Sequence, residues 1–140
     1  MTVKEYLDQA RYLDMRINSK MQQVESLNEL ATKATSTITG MPRTPSPATS
    51  LMAEAIEKII DLQAEINCDI NELVNLKQGI LNTIKAISNI EYQTILEKRY
   101  LCFHSWQRIA VAMDYDLRWL YRLHGKALDE AQKVLYKKIL

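Results

Sequence analysis

The sequence predicts an all-α fold, and three observations carry that expectation. Only 3 Gly and 3 Pro occur in 140 residues, so turns are few and a many-stranded sheet is disfavoured. Apolar residues recur at steps of three and four over two long stretches, the spacing of a helical stripe. Thr2, Ser88, Ser105 and Asp116 each stand where a helix N-cap is needed. The expected order is a long antiparallel helical hairpin over 1–87, with a loop at 35–50, and then a helix-turn-helix over 88–140.

Thr2 and Glu5 have the spacing of a capping box, in which each side chain satisfies the other residue's backbone N–H. Ala10, Leu13, Ile17, Met21, Val24, Leu27 and Ala31 then form one stripe, which predicts a helix over roughly 3–34. Residues 35–50 are rich in Ser, Thr and Pro, which compete with helical hydrogen bonds or cannot make them. A second stripe, Ile59, Leu62, Ile66, Ile70, Leu73, Leu76, Ile80, Ile84 and Ile87, predicts a helix over roughly 50–87. Gly79 interrupts it, either as a close helix contact or as a hinge. Two helices cannot enclose their own apolar stripes. The C-terminal unit or another chain must cover them, and a homodimer or higher homo-oligomer through the hairpin is expected.

Ser88 and Glu91 give a further capping box, opening a short helix over about 89–101 that buries Ile95, Leu96 and Tyr100. Ser105 should cap a helix from Trp106 to Met113, and Asp116 a last helix toward the C-terminus. The turn Asp114-Tyr115-Asp116 has the length a helix-turn-helix needs. Asp114 stands where many such turns have Gly, and Asp tolerates the left-handed conformation.

Charge is divided unevenly. Residues 1–88 carry 9 Lys/Arg and 11 Asp/Glu, a balance of −2, whereas 89–140 carry 9 and 6, a balance of +3. In the last helix Leu120, Leu123, Ala127 and Leu128 share the inward face. Arg118, Trp119, Tyr121, Arg122 and Lys126 share the other. The second helix of such a motif places its N-terminal part in the major groove. Arg118 and Arg122, four apart, can fork onto guanine edges or hold phosphates. Trp119 and Tyr121 can touch thymine methyls, and Lys98, Arg99, Arg108 and Lys126 are candidate phosphate contacts. Double-stranded DNA is therefore the expected partner.

The stretches Glu91 to Leu101, Ser105 to Ala110 and Leu120 to Leu128 resemble region 4 of sigma-70-type factors. Nearly the whole chain resembles a family of small phage and prophage proteins of Gram-positive bacteria, described as sigma-70 region 4-like or as phage transcriptional regulators. Ala31 to Thr37, Arg99 to Phe103 and Arg118 to Gly125 carry that match. The resemblance implies a sigma region 4-like helix-turn-helix, a role in phage gene expression and contact with RNA polymerase. Leu117 and Trp119 depart from the polar start usual in the sigma recognition helix. No counterpart of the promoter-melting segment is present, so initiation as a sigma factor alone is not expected. An adaptor that docks on RNA polymerase or another phage protein is the alternative.

No catalytic motif appears: there is no phosphate-binding glycine loop, nucleophile elbow or metal-binding His-Glu pattern. The chain is read as a non-enzyme without cofactor. Cys102, His104 and His124 lack the paired spacing and fourth ligand of a zinc site, so no metal is expected. Trp106 and Tyr100 are read as core, and Glu54, Glu57, Asp61 and Glu65 as a solvent face. No apolar run reaches the roughly 18 residues of a membrane span. The first residues lack a signal-peptide core, and Cys68 and Cys102 form no paired motif, so the cytoplasm of a bacterial host is the expected location.

Overall fold

The computed structural model describes the backbone of residues 1–38 and 47–139, with side chains for 1–33 and 50–138. The fold is all-α. Among the described residues five α-helices run in the order α1 (Val3–Ile38), α2 (Pro47–Lys85), α3 (Ile90–Leu96), α4 (Trp106–Met113) and α5 (Leu117–Ile139). A π turn, Glu97–Leu101, follows α3 directly. Among the described residues there is no strand, and no helix is long and apolar enough to cross a membrane.

The Thr2 cap forms as its spacing requires. The Thr2 N–H donates to Glu5 Oε2 at 3.1 Å and the Glu5 N–H to Thr2 Oγ1 at 3.2 Å. α1 and α2 are longer than expected. Residues 35–38 and 47–50 of the expected loop are helical, because α1 carries its Ser/Thr run to Ile38 and α2 starts on Pro47. A proline at the first helical position forfeits no hydrogen bond. The rest of that loop, 39–46, lies outside the described residues.

Packing divides the chain into two compact units, Met1–Leu13 with Leu73–Leu140, and Asp14–Glu72. The division does not fall at residue 88. Val3, Leu7, Ala10, Ile80, Ile84 and Ile87 form one buried cluster with Leu96, Tyr100, Ala127 and Ala131. The first turns of α1 and the last turns of α2 thus lose their water to the C-terminal helices. A polar contact ties α1 to α5, the Val3 N–H donating to Gln132 Oε1 at 3.1 Å, while buried Thr83 satisfies its hydroxyl within α2 by donating to the Gly79 carbonyl at 3.1 Å. A Cβ added to Gly79 would come within 2.9 Å of the Tyr6 phenol oxygen, so Gly79 marks a close helix contact.

α3 begins one residue later than the Ser88 capping box predicts. Asn89 is the N-cap, with extended backbone, and its Oδ1 accepts from the Tyr92 N–H at 3.2 Å. The Gln93 amide donates back to the Ile87 and Lys85 carbonyls, satisfying the end of α2. The π turn then adds a residue to the helical repeat, and the Cys102 N–H donates to the Glu97 carbonyl at 3.0 Å. Phe103, at φ 59°, ends it in the left-handed region, with the Lys77 ammonium 4.6 Å from the ring centroid.

In the second unit Ile17, Ala55, Ile59 and Ile66 are buried. Lys20 forms ion pairs with Asp69 at 2.6 Å and Glu65 at 3.6 Å. Two members of the expected stripes stay in water, Met21 and Ile70. Periodicity places them near the apolar side of each helix, but the positions around them supply the contact instead.

Candidate nucleic-acid interface

The candidate interface rests on α4, the turn Asp114–Asp116 and α5, and local chemistry fixes each joint. Ser105 caps α4, its Oγ accepting from the Arg108 N–H at 3.2 Å. Asp114 ends α4 at φ 57°, ψ 45°. The Tyr115 N–H reaches back to the Ala110 carbonyl at 3.0 Å and the Asp114 N–H to Val111 at 3.3 Å, the hydrogen bonds of a Schellman motif. Asp116 opens α5, its Oδ1 accepting from the Trp119 N–H at 2.7 Å. The Tyr115 hydroxyl ties the turn to α3 by donating to Glu91 Oε2 at 2.6 Å, a bond that raises its pKa. Beneath the turn Ile95, Ile109, Ala110, Leu120 and Leu123 form a second buried cluster, with Trp106, Met113, Tyr115 and Leu117 packed on it.

This core leaves one face of α5 in water. Arg118, Trp119, Tyr121, Arg122 and Lys126 are all exposed, Trp119 at 43%. Arg108 on α4 is exposed as well. No carboxylate lies within ion-pair distance of Arg108, Arg118, Arg122 or Lys126 among the described residues. Trp119 is therefore a surface residue, which its apolar character alone does not indicate.

Arg99 differs from the other candidate cations. Its guanidinium lies 4.6 Å from the Trp106 ring centroid, and its Nη1 donates to the His104 carbonyl at 3.0 Å. Burial lowers its pKa, and the nearby Arg11 adds to the effect. Arg99 is thus committed to holding the fold. Trp106 also meets Tyr121 edge-on, centroids 5.5 Å apart, and His124 at 4.5 Å. Tyr121 keeps its other side exposed.

Two groups of cations surround the histidines of this region, and one of them is drawn from a distant part of the sequence. Lys98 and Arg108 both act on His104, whose pKa is lowered first by desolvation and then by their charge. Lys4 and Arg99 act on His124, which burial pushes down to about 4. Lys4 and Arg11 belong to α1, far from this site in the sequence, and no local spacing announces them. His124 Nε2 lies 2.7 Å from the Tyr100 hydroxyl, so this histidine is occupied within the core. Among the described residues no group of three or more His, Cys, Asp or Glu is placed to hold a metal ion. No protein-family model, characterised protein or solved structure matches the chain.

Proposed function

We propose that the chain is a DNA-binding transcriptional regulator of the phage and prophage kind. In this reading α4, the turn and α5 form a sigma-70 region 4-like helix-turn-helix, with the N-terminal part of α5 in the major groove. Residues 1–87 form a helical hairpin that joins two copies. The observation that supports it best is the solvent face of α5. Arg118 and Arg122 stand one turn apart, with no carboxylate partner among the described residues, beside exposed Trp119 and Tyr121, on a helix capped and packed on its other side. Guanidinium forks suit guanine edges and phosphates, and the aromatic rings suit thymine methyls. Arg108, Lys98 and Lys126 serve as phosphate contacts, and RNA polymerase is the expected protein partner.

A second reading, a protein-interaction adaptor docking on RNA polymerase or another phage protein, is favoured by one observation. Trp119 is exposed beside half-buried Leu117, and Val111 on α4 is 83% exposed. Apolar side chains so placed are the material of interface hot spots.

The test is retention of sheared phage and host DNA by the purified chain at near-physiological salt, with Arg118→Ala/Arg122→Ala and Trp119→Ala variants alongside. Discrete retained sites that vanish in the arginine variant support the regulator. Absence of enrichment over that variant, with polymerase capture lost in the Trp119 variant, supports the adaptor.

A further inference from the structure

α2 carries two stripes, and among the described residues only one of them is covered. Ala55, Ile59 and Ile66 are buried. Roughly a quarter-turn round the same helix runs a second series at steps of four and three, Ile56, Ile60, Gln63, Asn67 and Ile70, and every member is exposed. Its isoleucines are 45%, 59% and 41% accessible. No charged residue belongs to the series, although Glu54, Glu57, Lys58, Asp61, Glu65, Asp69 and Glu72 occupy other positions over the same length. A solvent face is not built this way, since the charges available to this helix are all placed elsewhere. The steps are those of a coiled-coil seam.

The series is also symmetric. Ile60 and Ile70 are equidistant from Glu65, and so are Gln63 and Asn67. We infer that this stripe is where a second copy of the chain docks, α2 against α2, antiparallel about a twofold axis at position 65. That axis sets isoleucine on isoleucine and amide on amide. Each side-chain amide offers both a donor and an acceptor, so Gln63 of one copy and Asn67 of the other can bond reciprocally. Sliding the pair by one heptad step would oppose Ile60 to Gln63 and Ile56 to Asn67, leaving amides against hydrocarbon. The polar pair therefore selects the register, at some cost in strength. Opposed helix dipoles add to the antiparallel preference. The same residues on both copies make the interface isologous and closed, so assembly stops at two. This deepens the pairing part of the reading above and stands whether or not α5 reads DNA.

The test is the mass of the full chain by sedimentation equilibrium across a concentration series, beside Ile60→Glu/Ile70→Glu. Both side chains are exposed, so the helix content by circular dichroism should not change. The expected result is a dimer that each substitution weakens by about tenfold or more, and that Met15→Glu, on an exposed face of α1, leaves intact. Gln63→Lys/Asn67→Lys provides a second variant should the first lose helix content. Orientation is read on a Cys68→Ser/Cys102→Ser background by mixing Gln63→Cys chains with Asn67→Cys chains under mild oxidation. The antiparallel register gives the mixed disulfide in preference to either like pair. A monomer at every concentration, a dimer indifferent to both isoleucine changes, or like-with-like disulfides would overturn the inference.

Discussion

The imidazole Nε2 of His124 and the hydroxyl of Tyr100 are 2.7 Å apart, with Tyr100 almost wholly buried. Burial pushes the tyrosine pKa up and the histidine pKa down to about 4. Both rings are therefore neutral at pH 7. In the unfolded chain the histidine takes up a proton near pH 6.5, whereas in the fold it resists until about pH 4. The unfolded state thus binds more protons in that window, and stability falls as pH drops through it. For a ring that keeps partial contact with water the loss is about 1–2 kcal/mol. Thermal unfolding between pH 7 and pH 4 should show it, and His124→Gln should flatten this part of the profile.

The turn of the candidate interface should respond to backbone preference. Asp114 holds φ 57°, a conformation glycine adopts freely and β-branched residues resist. Asp114→Gly should leave stability unchanged or raise it by up to about 1 kcal/mol, and Asp114→Val should lower it by about 1–2 kcal/mol. Chemical denaturation of the three chains checks the order.

The arginines should separate into two kinds. Arg118→Ala/Arg122→Ala should leave the melting temperature within about a degree or two of the parent, since neither side chain has an ion-pair partner among the described residues, while on the proposed DNA-binding reading it lowers DNA affinity and flattens its salt dependence. Arg99→Ala should act in the opposite way, removing the stacking on Trp106 and the bond to the His104 carbonyl. A stability loss of about 1–2 kcal/mol is expected there. Melting curves beside salt-titrated binding distinguish the two.

Gly79 and Tyr6 offer a double-mutant cycle. Alanine at 79 gains helix propensity but presses on the Tyr6 hydroxyl at 2.9 Å. Gly79→Ala alone should be nearly neutral. In a Tyr6→Phe background, where that oxygen is absent, it should stabilise by about 0.5–1 kcal/mol. Additivity of the two changes would show that the contact carries no strain.

What was legible in the sequence is what neighbouring residues decide among themselves. The caps at Thr2, Ser105 and Asp116, the left-handed Asp114 and the buried Ile95, Leu96 and Tyr100 follow from types and spacings a few residues apart. Ser88 and Asn89 are both good cap types, and Asn89 takes the position. The packing units are not divided at residue 88, since periodicity reports that a stripe is apolar and not which partner covers it. Val3 and Ile84 share a cluster with Ala127, across more than forty intervening residues in either direction. For the same reason the sequence offers Arg99 as a candidate phosphate contact, with no sign of its place over Trp106. Nothing in its surroundings along the chain reveals the indole ring seven positions on. The exposed series on α2 is harder to see in the sequence because Ile70 fits the spacing of the buried stripe as well, and only its exposure assigns it to the other.

The π turn has a consequence for ancestry. Glu97–Leu101 holds one residue more than an α-helix would use to cover the same rise. A chain of the same design with a regular helix there would be one codon shorter. Aligning the two would demand a gap inside a continuous helix, where gaps are ordinarily refused. Kinship across that segment would then be underrated, because everything downstream, including the whole of α5, would be compared one position out of step.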